Sequence, residues 1–314
     1  MKLIRSTAIL ALLVVVVLFW GALNHADAQG LTKIRVSDTP TTHHLNLYVA
    51  KEKGLFTKSG IDVQIQQAAD PSAARDAVIT KAADVYFACP SVNIAAIAGG
   101  APLKIIAQVK KPCTSVLAVP KNSPIKEFKD LNGKTIAGLS PTCCAVVFIN
   151  QKVRQAKASF NLVKLAGGPA IAALDAKQVD GAILEEPHAS IAELKGYKTL
   201  FRGDMKETTC RTINVHKDFL ANNVDALKKF IQAVDEANAL ILKNPVADDI
   251  VAIAVKYTGA PENAIRNGNH RLGFTTKLTV EAHNGLALAL IEQGAIKTNP
   301  LPGAYAQEFK GITW

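Results

Sequence analysis

Two stretches of the chain repeat one pattern, and that repeat constrains the fold more than any other feature. Residues 77–88, from Ala77 through Asp84 to Ala88, and residues 173–184, from Ala173 through Asp180 to Leu184, place an aspartate at the same point of the same phrase. Apolar positions before each Asp fit one face of a helix, and the run after it fits a short buried strand. Each copy is therefore the end of an α/β unit, and the chain is expected to form two similar α/β lobes. A cleft between such lobes is lined by strand ends and helix N-termini, which is where α/β proteins hold small ligands. Asp84 and Asp180 sit at equivalent turns of different lobes, so they are expected to act structurally and not as an acid–base pair.

Lys2 and Arg5 precede an unbroken apolar run from Ala8 to Trp20, and Ala26-Asp27-Ala28 follows. A basic start, an apolar stretch and a small-x-small site predict a secretory leader cleaved near Ala28. The alternative is a retained anchor, but the run falls short of the roughly 20 apolar residues a span needs. No cysteine lies near the cleavage site, so nothing points to a lipid anchor. Removal of residues 1–28 leaves 286 residues, with 34 basic and 25 acidic side chains. These charges are interleaved, as in Lys51-Glu52-Lys53, and aromatic residues make up only 6%. A solvated basic surface fits that pattern, and no nucleic-acid partner is expected.

Along the mature chain, Ile34-Arg35-Val36 reads as a strand, residues 37–44 as a loop, Leu45 to Gly54 as a helix, and Ile61 to Ile65 as an alternating strand. A helix from about Ser91 to Ala98 and strands at 105–107 and 113–119 follow. Asp218 to Lys243 carries a helical stripe of Leu227, Phe230, Ile231, Val234, Leu240 and Ile241, stopped by Asn244-Pro245. Helices are expected near 246–257 and 278–293. The boundaries read as lobe one at 30–112 plus 213–314 and lobe two at 113–212.

Several phrases, in order, resemble a known family. Ala50 to Phe56, Gly60 to Val63, Asp130 to Ala137 and Gln178 to Pro187 are similar to the solute-binding proteins of sulfonate, nitrate and taurine type ABC importers. The likeness covers nearly all of the mature chain. It implies an α/β, two-lobed periplasmic binding protein fold of type II, each lobe a mixed sheet flanked by helices. It further implies a periplasmic, monomeric carrier without catalytic residues or cofactor, which captures a small molecule and delivers it to an inner-membrane permease.

The cysteines depart from that family pattern. Cys89 follows the first Asp84 strand, Cys113 begins the crossing, Cys143 and Cys144 open a helix, and Cys210 lies at the return crossing. Three readings stay open. Disulfides could form in an oxidising compartment, for example between Cys113 and Cys143 or Cys144. The thiols could pack inertly as small apolar groups. Or they could line a pocket for a soft metal or thiophilic ligand, with helix N-termini favouring the thiolate of Cys143 and Cys144; a metal-binding or sensing protein is then the alternative to a carrier.

The ligand-binding set expected on this reading is Thr41, Thr42, His43, Cys89, Cys113, Thr114, Cys143, Cys144, Glu186 and Arg211. Each has a plain counterpart where its role is concerned. His43 and His44 either line the pocket, or lie at the surface or cap the following helix. Glu186 either receives an amine or metal, or pairs with a lysine. Arg211 either meets a sulfonate or carboxylate, or forms a structural pair across the hinge. Adjacent cysteines also resemble the thiamine pyrimidine synthases of the same fold, whose longer cysteine run is followed by Phe-Gly; here Ala145-Val146 follows Cys143-Cys144. Such an enzyme would bind iron and use a pocket histidine, for which His43 is the candidate. No glycine-rich phosphate loop, His-Glu-x-x-His, nucleophile elbow or Cys-x-x-Cys pair is present.

Overall fold

Asp84 and Asp180 make the same clamp in two places. The Asp84 carboxylate accepts from the backbone N–H of Arg35 at 2.8 Å, and its own N–H donates to the Arg35 carbonyl at 2.8 Å. Asp180 does this with Thr135, again at 2.8 Å each way. Three residues earlier, Lys81 and Lys177 turn out of their helices through left-handed backbone, with φ of 62° and 57°. The repeat thus encodes a helix stop followed by a staple that registers the new strand on its neighbour, a structural role for both aspartates.

A computed structural model describes residues 31–205 and 208–314; the expected leader over 1–28 lies outside them. In chain order the first part runs β1 (Thr32–Asp38), α1 (Leu45–Glu52), α2 (Leu55–Lys58), β2 (Ile61–Gln67), α3 (Pro71–Ile79), β3 (Val85–Ala88), α4 (Pro90–Ala98) and β4 (Leu103–Lys110). The second part comprises β5 (Val116–Val119), β6 (Thr135–Gly138), α5 (Cys144–Gln155), β7 (Asn161–Lys164), α6 (Gly167–Asp175), β8 (Gly181–Leu184), α7 (His188–Leu194) and β9 (Lys198–Leu200). The chain then returns through β10 (Cys210–His216) to α8 (Lys217–Asn222), α9 (Val224–Lys243), α10 (Asp248–Thr258), α11 (Glu262–Asn269) and α12 (Val280–Glu292).

Two five-stranded sheets result, ordered β2-β1-β3-β10-β4 and β7-β6-β8-β5-β9. The second order is the first with its counterparts substituted, so the aspartate echo reports a duplicated lobe. Both sheets are mixed: β1 with β3 and β6 with β8 are parallel, whereas β10 and β5 run antiparallel to their neighbours. The α/β two-lobed architecture expected from the sequence is present. β10 opens at Cys210 and pairs with Lys110 of β4, so residues 210–212 stand in the first sheet, where the sequence reading put them with lobe two.

The first lobe's core joins its sheet to α9, whose Leu227, Phe230, Ile231, Val234 and Ile241 are buried. Each such side chain contributes about 2 kcal/mol on burial. Leu240 belongs to the expected stripe but stays 40% exposed. The helix expected over 218–243 breaks at Asn223, whose φ of −137° leaves the helical region, separating α8 from α9. A second apolar cluster joins the lobes, with α4 and α12 packed against α5, and it contains all five cysteines. Among the described residues no helix is long and apolar enough to cross a membrane.

Candidate functional site

Every member of the expected ligand set is buried, and the structure divides that set into a floor and a surface. Two hollows between the lobes share Leu139 as a wall. One is lined by Asp70, Pro71, Ser72, Cys89 and Val92 from lobe one and by Ser140, Cys143 and Lys164 from lobe two. The other has Thr39, Pro40 and Ala69 facing Ala166, Gly167, Gly168, Ile183, Glu185 and His188. Of the expected ten, Cys89 and Cys143 reach these hollows.

The floor is a polar network built on Arg211. This residue sits in β10 with a left-handed φ of 65° and is 2% exposed. Its Nε donates to His44 Nε2 at 2.9 Å, its Nη1 to Cys89 Sγ at 2.6 Å, and its Nη2 to Glu185 Oε2. His44 Nδ1 in turn donates to Asp38 Oδ1 at 2.6 Å, and Tyr48 Oη donates to Asp38 Oδ2 at 2.5 Å. Each guanidinium nitrogen thus has a partner, three of the five N–H groups being used, and Glu185 makes a structural pair across the lobes.

His43 is fully buried beside this network. Its Nε2 lies 3.1 Å from Thr114 Oγ1, and its Nδ1 lies 3.5 Å from both Cys210 Sγ and Glu185 Oε2. A neutral ring with Nδ1 protonated satisfies the set: Nδ1–H faces the sulfur and carboxylate, and Thr114 donates to Nε2. Burial first, then the Lys110 and Arg211 charges, hold His43 well below the usual imidazole range. Thr41 Oγ1 donates across the cleft to the Glu186 carbonyl at 2.9 Å, while Thr42 Oγ1 is buried with no partner among the described residues.

The Glu186 carboxylate does not reach the hollows. It accepts from the Ser190 N–H at 3.0 Å, from Ser190 Oγ at 2.7 Å, and from Arg202 and Arg271 at 3.0 Å each. Gly268 packs so closely that a Cβ there would lie 2.8 Å from Glu186 Oε2. The residue before it, Glu185, supplies the carboxylate that faces the hollow and Arg211.

The thiols form two pairs and a single. Cys89 Sγ and Cys143 Sγ are 3.6 Å apart, bringing together an N-cap from each lobe. The Cys143 thiol first, then the nearby Cys144 thiol and the Arg211 charge, act against burial and hold Cys89 well below the usual thiol range. Cys143 is correspondingly pushed up, chiefly by Cys89. At the crossings, where Cys113 N–H donates to the Thr208 carbonyl at 2.8 Å, Cys210 bonds to the Cys113 sulfur and brings it down to about 7. Cys144 faces away from the hollow and accepts from Ser91 Oγ at 3.2 Å. Cys143 thus neighbours Cys89 and Cys113 neighbours Cys210, in place of the Cys113 to Cys143 or Cys144 pairing the sequence reading offered.

Residues that the expected set lacked are Thr39, Leu139, Gly167, Gly168 and Glu185. Thr39 Oγ1 is buried with no partner among the described residues. Ala166 caps α6 without a side-chain hydrogen bond, so the first amides of that helix, on Gly167 and Gly168 at the hollow's wall, are unpaired by a cap. Gly167 has φ of 56°, and a Cβ on it would lie 2.9 Å from the His188 ring, so a side chain there would close the hollow. The run Gly167-Gly168-Pro169 soon after the short strand β7 was the available signal, a helix start with close backbone approach.

The fit to an iron-binding thiol loop is poor. Among the described residues no group of three or more His, Cys, Asp or Glu is placed to hold a metal ion. Cys143 and Cys144 point to different neighbours, and His43 lies beneath the hollow, already bonded on both nitrogens.

Comparison with known proteins agrees with this architecture. The alkanesulfonate-binding protein SsuA from Xanthomonas axonopodis pv. citri, bound to MOPS, superposes with a TM-score of 0.76 at 18% identity, covering 87% of this chain and 96% of that one. The 4-amino-5-hydroxymethyl-2-methylpyrimidine phosphate synthase of Schizosaccharomyces pombe is 24% identical over 66% of this chain, which spans 64% of that relative's length. YtlA of Bacillus subtilis, named as a binding protein, is 23% identical over 77% of this chain and 76% of its own. A family model described as NMT1/THI5 like matches residues 41–248. With that match over most of a duplicated, cleft-bearing α/β chain, the protein belongs to the NMT1/THI5-like family.

Proposed function

We propose that this protein is the extracytoplasmic solute-binding component of an ABC importer, exported behind a leader cleaved near Ala28. It would capture a small molecule between the lobes and present the closed form to a permease, as a monomer and without catalysis. The observation that carries this reading is the hollow at Thr39, Gly167 and Gly168. It has walls from both lobes, an uncapped helix N-terminus and an orphaned hydroxyl. Leaving such a hydroxyl unpaired costs about 1–3 kcal/mol, which a bound acceptor or donor would recover. Backbone amides at a helix start favour an anionic or strongly accepting group on the solute, and Glu185 opposite favours a donor. The solute is therefore expected to be small and to carry both.

The crossings at Lys111 to Ser115 and at Thr208 to Cys210 supply the hinge in this reading. The engagement of His43 on both ring nitrogens, beneath the hollow, supports binding over synthase chemistry. The test is native mass spectrometry of protein isolated gently from its own host, followed by melting in the presence of sulfonates, carboxylates and aminopyrimidines. A retained small mass, or a melting temperature that climbs with the logarithm of solute concentration, is expected. A protein isolated bare whose melting stays flat across all three classes would overturn the proposal.

A further inference from the structure

The mechanism of capture uses neither Cys89 nor Cys143 as a reactive group, yet these two are the thiols that line a hollow, and they come from opposite lobes. Cys89 is the N-cap of α4, a nine-residue helix, and Cys143 is the N-cap of α5, a twelve-residue one. Their sulfurs stand 3.6 Å apart, and Arg211 Nη1 donates to Cys89 Sγ at 2.6 Å. A disulfide needs about 2.0 Å between sulfurs, so closure asks for a side-chain adjustment of order 1.5 Å at two residues whose backbone is extended and outside both helices. We propose that Cys89 and Cys143 are a redox couple, oxidised by a low-molecular-weight or protein disulfide to a bond that locks the two lobes together.

The chemistry has two exchanges. Cys89 is 3% exposed, so the reagent reaches it when the lobes part; its thiolate then attacks one sulfur of the incoming disulfide, forms a mixed disulfide and expels the other half as a thiolate. Cys143 then gives its proton to that departing thiolate or to water, attacks the Cys89 sulfur, and releases the second half. Two electrons leave the protein thiols and reduce the reagent to two thiols. The order of attack follows from the surroundings. Cys89 has a guanidinium and a helix N-terminus at its sulfur, which favour thiolate. What holds Cys143 protonated is first its hydrogen bond to Cys89, then burial, then the Cys89 charge. Once Cys89 is in a mixed disulfide its thiolate hydrogen bond and its charge are both gone, and the Arg211 charge remains to favour the Cys143 thiolate against burial.

The remaining thiols are placed otherwise. Cys144 accepts from Ser91, and Cys113, bonded to Ser115 Oγ at 3.3 Å, and Cys210, beside His43, stand at the crossings outside the lining of both hollows. The new bond would tie residues 89 and 143 across the cleft, so lobe opening would require reduction first. The couple itself does not depend on the identity or existence of a solute.

The test treats the full chain with oxidised glutathione or with dithiothreitol, quenches with N-ethylmaleimide and maps peptides by mass spectrometry. The expected result after oxidation is a linked Cys89 and Cys143 peptide pair with Cys113, Cys144 and Cys210 alkylated. C143S should stop at one glutathione on Cys89, and C89S should take up none at Cys143 on the same timescale. Hydrogen exchange at the cleft strands should slow in the oxidised wild type and recover with dithiothreitol. Alkylated Cys89 and Cys143 after oxidation, or a Cys113 to Cys210 link in their place, would overturn the couple. The wild-type map needs no variant, so a serine substitution that fails to fold leaves the decision intact. A linked pair together with flat melting in the solute panel would retain the couple and remove only the transport reading.

Discussion

His283 shows how a single buried side chain sets a pH limit on this fold. Its Nδ1 lies 2.9 Å from Tyr305 Oη and its Nε2 lies 3.1 Å from Gln108 Oε1, and Gln108 Nε2 donates to the Arg211 carbonyl at 2.7 Å. Burial pushes the ring down to about 4. The folded ring stays neutral until about pH 4, whereas the unfolded one takes a proton below about 6.5. The unfolded state therefore binds more protons in that window. Stability is full above about 6.5 and falls as pH drops toward 4, by up to ~3 kcal/mol. Denaturant midpoints measured at steps between pH 7 and 4 should fall for wild type and fall less for H283Q. His43, His188 and His216 are also held low, chiefly by burial, and shift the wild-type curve the same way. At this scale the sequence was least informative. Glu185 and Glu186 are adjacent carboxylates, and only β8 geometry decides that one faces Arg211 at the cleft while the other is consumed by two arginines. Likewise the expected Thr and His residues of 41–43 form the floor beneath the hollows, a matter of depth that residue type does not encode.

Elements were far more legible, because helix and strand periodicities survive in a single chain and turn chemistry marks their ends. The two aspartate phrases gave both staples, and α4, α10 and α12 appear within a few residues of where periodicity put them. The break at Asn223 was missed because α8 and α9 carry one continuous apolar stripe across it. Close packing between elements is equally silent in sequence. Gly273 lies against the first crossing, where a Cβ would stand 2.3 Å from the Lys111 carbonyl oxygen. That oxygen belongs to backbone and cannot swing away. Gly285, inside α12, has nothing within 4 Å of a Cβ. G273A is expected to cost ~3 kcal/mol or more, and G285A to gain about 0.5–1 kcal/mol from helix propensity and a less flexible unfolded chain. Thermal denaturation of the pair checks both signs, and equal effects would contradict the packing described.

For the molecule as a whole, duplication was readable and closure was not, since contacts between lobes join residues from 26 to 145 positions apart, beyond the reach of any local pattern. Thr41 with Glu186, Arg211 with Glu185 and α12 against α5 have no local signature. Glu185 is the member of these whose loss is cleanest to read. E185Q keeps shape and hydrogen-bonding capacity but leaves Arg211 without its carboxylate across the cleft, which should weaken closure by ~1–3 kcal/mol. Small-angle scattering is expected to show a larger mean radius for E185Q than for wild type, and an unchanged radius would mean that the pair does not hold the lobes.

In the hinge proposed above, Arg211 also belongs to the pivot. It occupies the second residue of the strand by which the chain re-enters lobe one, in left-handed backbone, with its guanidinium spread over His44, Cys89 and Glu185. A side chain rooted in an axle turns whenever the axle does. On that proposal any swing of the lobes would reorient the cation that sits at the Cys89 sulfur, and the nucleophilicity of that thiol would become a readout of the angle between the lobes.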